Sequence, residues 1–566
     1  MRFEDFKYKR VDIEEAKRKV LKLIEDFRNS DCYENQCFVI NEINEIRNEF
    51  ISMKVICELR KCLGVDNEFY SKEMEYYADA EPIMDGLICE YYKALDSSKF
   101  KKMIKCRYGN QLFDLAKMKM KCVCDEIIEE LQEENKIMVD YFELFNKLKS
   151  RKKFDRKFIG IYEFNEYINS DLREIRKSGY EAQTEIYIEN ENEIQNLFDK
   201  LVKVRNKMAL KMGYENFIDM GYARMKRVGY DKNMVSNFRK QILEYVVPLN
   251  KELAKRQGKR IGVDKLKYYD EIIQFKNGNS QLNIKEKDII KKLQKVYEEI
   301  SDETRKFFKY ILENNLIDIE RRENKESFAF CEYIFRYKAP FVFLVYNGVT
   351  EDLNSIIHEL GHAFQLYLCK DYDIPEYIIP SEDVAEICSM SMEFLIEPWI
   401  EEFFDKDIEK YKFYHMVNQL YLLTYIVIVD EFQHFVYEKP EATYEERNKI
   451  WRKLEMKYIP YRDYGENDFL NKGGYWLRQA HIFVDPFYYI DYGLAQIVAF
   501  NFWYKSKLNS KEAWSDYMKV CEAGGSKSFL EIIKLGNLKN PFEEESIKYI
   551  IKCIREWILD IEEKLI

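Results

Sequence analysis

Proline is nearly missing from a long stretch of this chain: none lies between Pro82 and Pro248, and the 566 residues contain 10 in all. Proline removes a helical hydrogen bond and its ring clashes with the turn before it, so helices here can run long. Segments such as Ile13–Ile24 and Glu193–Met212 repeat apolar residues every three or four positions, which predicts consecutive amphipathic helices. Strand-like sequence is confined to Thr184–Ile188 and Ser327–Tyr346. In the second stretch, Phe328–Tyr337 and Phe341–Tyr346 flank a Lys338-Ala-Pro340 turn, which predicts a hairpin or small sheet. Asn347-Gly348 ends the second strand. Thr350, followed by Glu351 and Asp352, is placed to cap a helix reaching about Cys369. Another helix is expected behind Pro380 with Ser381 as cap, and a third over roughly Ile408–Tyr437. No internal repeat and no Gly/Ser/Pro-rich linker divides the chain; pattern alone sets an N-terminal helical region, 1–190, apart from 191–566.

Composition narrows the classes of function. Aromatic residues make up 15% of the chain, enough to bury surface against the entropy of ordering, so disorder is excluded. The net charge of −11 lacks the basic footprint of a nucleic-acid binder, and the run Ala254–Arg260 reads as a solvated face. Thirteen cysteines cannot all pair, no apolar leader opens the sequence, and the longest apolar run, Leu420–Val429, is about half a bilayer span. These features predict a cytoplasmic protein with reduced thiols and neither a membrane nor a nucleic-acid partner.

Histidine is rare, and the chemistry gathers around it. Two of the five histidines stand in His358-Glu-Leu-Gly-His362. At i and i+4 on a helix, two imidazoles share one face and can reach one ion, while Glu359 projects beside them to take a proton from a metal-bound water. Apolar Ile356, Ile357, Leu360, Ala363 and Phe364 bury that helix, and buried His and Glu need partners. Gly361 lets another backbone pack close. A hydrolytic zinc site takes a third protein ligand; Leu368 excludes a histidine six residues past His362, leaving Glu382 and Glu386 on the next helix. Glu386 is favoured because it lies deeper among apolar neighbours, whereas Glu382 suits the first helical turn. Asp383 is a candidate to receive an N–H from a ligating imidazole, with Glu393 as the alternative.

The motif, with Glu386 24 residues after His362 in an Ala-Glu-Ile context, resembles the thimet oligopeptidase and oligoendopeptidase F zinc peptidases, and most the bacterial Pz-peptidase-like branch. Leu201–Phe217, Asp430–His434, Gly524–Ser526 and Pro541-Phe542 extend the likeness over about residues 190–560. The resemblance implies a mainly α, zincin-like fold of two helical lobes around a deep channel, with a small sheet beside the His-Glu helix. It implies that His481 and tyrosines of His481–Gly493 face the metal and hydrogen-bond the substrate carbonyl and the oxyanion. Tyr488 and Tyr492 are i and i+4, with Tyr489 as the other partner; a neutral phenol aimed at developing charge in a dry site is effective catalysis. Pro486 stands where thimet-type members carry a mobile diglycine. His434, one turn after Asp430, is a candidate supporting residue; His415 is read as structural.

The expectation is a zinc endopeptidase for short oligopeptides, one Zn²⁺ per chain, held by His358, His362 and Glu386. Glu359 would serve as general base, and His481, Tyr488 and Tyr492 would stabilise the oxyanion. The strand ending at Tyr346 would pair with extended substrate, Tyr489 and Tyr346 contributing to its binding. A zinc carboxypeptidase of related fold and a silent helical binding protein are the rivals; stepwise loss of C-terminal residues, or absence of zinc and cleavage, would single them out.

Overall fold

Three- and four-residue apolar spacing turns most of the chain into helices, and the computed structural model describes residues 1–148, 152–154, 157–159, 164–404 and 406–565. The N-terminal part contributes α1 (Ile13–Asn29), α2 (Tyr33–Leu63), α3 (Glu68–Asp96), α4 (Gln111–Met120) and α5 (Ile128–Leu148). Pro82 sits inside α3. A short antiparallel pair, β1 (Lys152–Phe154) and β2 (Lys157–Ile159), precedes α6 (Arg173–Lys211) and α7 (Phe217–Arg224). The expected strand Thr184–Ile188 lies inside α6. Its β-branched residues are overridden because Gly179, Ala182, Ile186 and, further on, Leu197 and Leu201 make one buried helical stripe. Residue 190 also falls within this 39-residue helix.

The second sheet has the order β3 (Ile317–Asp318), β5 (Ala339–Phe343), β4 (Phe330–Ile334). β4 and β5 are antiparallel, with Phe330 opposite Phe343 and Ile334 opposite Ala339. The hairpin is present, but its turn is Phe335–Lys338 rather than Lys338–Pro340, with Lys338 at φ +49°. Pro340 is tolerated in the central strand because β3 pairs only with Val342 and Phe343 and asks no donor of it.

Five more helices and one short helical turn build the site. They are α8 (Thr350–Cys369), α9 (Pro375–Ile378), α10 (Glu382–Leu395), α11 (Ile408–Glu438), α12 (Tyr489–Leu508) and α13 (Ser510–Ala523). Thr350 is the first helical residue of α8, not its cap: its hydroxyl donates to the Ser280 carbonyl. Asp352 caps the end instead, accepting N–H bonds from Asn347 and Val349. α10 is packed between α8 and α12, and α8 lies on β4 and β5. A cavity of about 600 Å³ separates walls from α2–α5 and from α7, α9 and Val484-Asp485. All thirteen cysteines are unpaired. Among the described residues no helix is long and apolar enough to cross a membrane.

Candidate metal centre and active site

Helix α8 presents His358 and His362 one turn apart, and α10 brings Glu386 to them. The two Nε2 atoms are 3.2 Å apart, and Glu386 Oε2 lies 3.2 Å from His358 and 3.6 Å from His362. The close approach depends on Gly361. A Cβ there would meet Ser389 Cα at 2.7 Å and the Cys388 carbonyl at 3.1 Å. Two ring nitrogens and a carboxylate oxygen crowded at one point need a shared proton or a cation between them. The donor set, two imidazoles and one carboxylate, is the kind that holds zinc with a position left open, so the residues fit such an ion.

Surrounding groups prepare these side chains. His358 Nδ1 is 2.8 Å from Glu393 Oε1, so the carboxylate takes the N–H and leaves Nε2 as the ligand atom. Glu393 also holds His415 at 2.9 Å. Ser389 donates to Glu386 Oε2 at 2.9 Å, and the Tyr488 hydroxyl donates to Glu386 Oε1. Burial raises Glu386, but His362 and His358 outweigh it and hold the carboxylate at about 2. Glu359 is 7% exposed, and among the described residues its carboxylate makes no hydrogen bond. Burial pushes it up to about 7, a suitable value for taking up and releasing a proton.

A second group of side chains comes from the turn before α12. His481 stands with its ring centroid 5.5 Å from Tyr488, 5.0 Å from Tyr489 and 5.8 Å from Tyr492, and Tyr488 is 5.0 Å from Tyr492. Phe487 sets the entry to α12 with φ +70°, a strained conformation for a bulky residue. It is fully buried, its N–H donates to Gln433, and its carbonyl accepts from Arg227, so the segment containing Pro486 is clamped. Burial lowers His481 to about 4 and raises Tyr488 and Tyr492, keeping all three neutral donors near pH 7.

Comparison with known proteins decides the family. A model described as peptidase family M3 matches residues 167–550, and one described as the peptidase M3 N-terminal domain matches residues 3–123. The chain belongs to peptidase family M3. The crystallised Pz peptidase A with an inhibitor is 42% identical with a TM-score of 0.96, and the match covers 99% of both chains. An oligoendopeptidase F homolog from Borreliella burgdorferi is 25% identical over 70% of this chain and 67% of its own. Oligoendopeptidase F from Enterococcus faecium, 14% identical with a TM-score of 0.63 over 97% of this chain and 98% of that one, shares the fold. Family and cluster together make this chain a zinc-dependent endopeptidase.

In this M3 peptidase several residues expected at the site are engaged elsewhere. Asp383 does not meet an imidazole: it accepts from Tyr230 at 2.7 Å, from Ser381, and from the Val384 N–H. It sits nearly one turn before Glu386, on the side facing Tyr230, and Glu393 takes its expected place. Tyr346 is buried, with its hydroxyl donating to the Ile284 carbonyl, so it is not available to substrate. β5 is the central strand and cannot pair with a peptide; β4 is the outer strand of the sheet. His434 packs on Tyr222 and Phe487 and bonds the Tyr222 hydroxyl at 3.1 Å; Asp430 Oδ2 lies 3.7 Å from its Nε2 and is also paired with Arg239. The Gly524-Gly525-Ser526 turn follows α13 and packs on the Glu376 and Tyr377 carbonyls. Two residues escaped the sequence reading. Gln479 Nε2 lies 2.9 Å from His481 Nδ1, and Tyr425 donates to Gln479 Oε1 at 2.9 Å. His415, read as structural, completes a His358–Glu393–His415 chain; the scarcity of histidine was the available signal.

Proposed function

We propose that this M3 peptidase hydrolyses internal bonds of short, extended oligopeptides, with one zinc ion held by His358, His362 and Glu386. The observation that carries the reading is the convergence of three ligand atoms within 4.8 Å of one another beside the unengaged carboxylate of Glu359. Zinc held there supplies Lewis acidity and an acidified water. The chain does the rest. Glu393 fixes the His358 tautomer, and Glu386 is steadied by Ser389 and Tyr488. Glu359 takes a proton from the attacking water and returns it to the leaving amine. His481 and a phenol of the Tyr488–Tyr492 pair donate to the oxyanion as the carbonyl becomes tetrahedral. Tyr489 borders the path of the peptide, and the outer strand β4 offers backbone pairing to an extended substrate.

Glu359→Gln should keep stoichiometric zinc while turnover falls by about three orders of magnitude or more. Mass spectrometry of a graded peptide series, with and without chelator, checks this. Internal cuts that vanish with chelator agree with the reading. Full activity in the variant removes Glu359 from its role, and stepwise release of single C-terminal residues replaces endopeptidase by carboxypeptidase.

A further inference from the structure

Close to His481 the wall holds a cation with no acid beside it. Arg478 lies three residues before His481, at the end of the turn Gly474–Arg478, and is partly exposed. Its guanidinium stands over the Tyr475 ring, 4.9 Å from the centroid. Arg462 approaches the same ring at 5.2 Å, but Arg462 is paired with Glu271 at 2.6 Å. Among the described residues no carboxylate pairs with Arg478. Its surroundings are aromatic: Tyr180, Tyr187 and Tyr425 lie within electrostatic reach. From Tyr475 the rings continue through Tyr425 at 6.0 Å and Tyr489 at 5.9 Å, and Tyr489 is 5.0 Å from His481. A continuous aromatic wall therefore joins the cation to the oxyanion group.

Arginine keeps its charge in any such setting, and its fork is shaped for a carboxylate. Partial removal from water without a counter-charge costs free energy that an arriving anion recovers. The Tyr475 and Tyr489 hydroxyls have no hydrogen-bond partner among the described residues, so each has a donor to offer. The arginines that line the cavity, Arg47 and Arg224, are by contrast paired with Glu376 and Glu134.

We infer that Arg478, with the Tyr475 and Tyr489 hydroxyls, binds a carboxylate of the substrate peptide and so sets how far the chain extends beyond the cut bond on that side. The inference rests on the peptidase reading above. The carboxylate can be the chain end or an acidic side chain, and the test separates the two.

Peptide pairs of graded length, identical but for a free acid or a carboxamide at the C-terminus, are compared for kcat/KM. At one spacing the acid should be preferred about tenfold, the order expected of a charge-assisted hydrogen bond partly open to water. Arg478→Met should bring that acid-to-amide ratio close to one, and Arg478→Lys should keep part of it. The ratio is read within each protein, so a general loss of activity does not disturb it. A carboxamide with a terminal glutamate that regains the preference assigns the site to a side chain; one that does not assigns it to the chain end. The same pairs titrated calorimetrically into the Glu359→Gln protein give the ratio as Kd without turnover, so failure of hydrolysis and failure of anchoring are read apart. A ratio near one at every length in the unsubstituted protein, or a ratio unchanged in Arg478→Met, overturns the inference.

Discussion

Gln479 shows how one amide can decide the form of the His481 ring. Its Nε2 can only donate, and Tyr425 occupies its Oε1, so His481 Nδ1 must accept and the ring proton must sit on Nε2. The proton then lies on the nitrogen free to meet an oxyanion. Gln479→Leu removes that constraint; kcat should fall roughly ten- to a hundredfold, the scale of losing one oriented donor, with zinc content unchanged. Equal kcat in the two proteins would show that the tautomer is set otherwise. His434, a candidate supporting residue in the sequence, also bears on stability. Burial holds it at about 4, below the value of about 6.5 in an unfolded chain. The unfolded state therefore binds the proton first, and stability is lost as pH falls from about 6.5 to about 4, by up to about 3 kcal/mol. Urea unfolding across that window should show a shallower pH slope for His434→Gln than for the parent protein. At this scale the sequence reveals residues whose chemistry is rare, such as His358, His362 and Glu386. It hides those whose meaning depends on a partner distant in the chain: Asp383 and Glu393 look equivalent along α10, and only the positions of Tyr230 and His415 tell them apart.

Among the elements, the contact of α8 with α10 matters most, because it delivers Glu386. Gly361 is the residue that permits it, and its purpose can be inferred from sequence since a helix interior rarely gains from glycine. Gly361→Ala would drive its methyl into the Ser389 backbone. Separating the helices should cost about 1–3 kcal/mol, as overpacking does, and pull Glu386 back from the imidazoles. Zinc per chain after dialysis should drop together with the urea midpoint. Unaltered zinc retention would mean that α10 does not need this closeness. Helix ends such as Ile13, Cys369 and Ile408 follow from local apolar spacing and are legible. The strands are less so. Thr184–Ile188 carries β-branched and aromatic residues yet continues a helix, because its buried stripe joins turns on both sides. The order β3-β5-β4 could not be read either, since a two-residue strand at Ile317 leaves no periodic trace and yet makes β5 central.

In the whole molecule, the N-terminal helices face α7, α9 and the Val484-Asp485 segment across one cavity, so what ties its walls together fixes its width. Arg47 of α2 reaches across to Glu376 of α9 with two bonds, at 2.6 and 3.0 Å, and Tyr92 of α3 donates to the same carboxylate. The side chains are 8% and 15% exposed. Breaking a buried pair from one side leaves an uncompensated charge and costs about 3–5 kcal/mol, whereas replacing both partners by apolar groups is much milder. Glu376→Leu and Arg47→Met should therefore each lower stability by that amount, and the double variant should lose less than either single one. The same latch bears on substrate size. A passage held from both walls admits an extended peptide and refuses a folded domain, so the parent protein should degrade short peptides and leave a folded protein intact under conditions where its unfolded form is cut. If the latch sets the width, the double variant, folded and loaded with zinc, should accept longer peptides than the parent does. Identical length limits in the two proteins would assign the restriction to the aromatic wall near His481 instead.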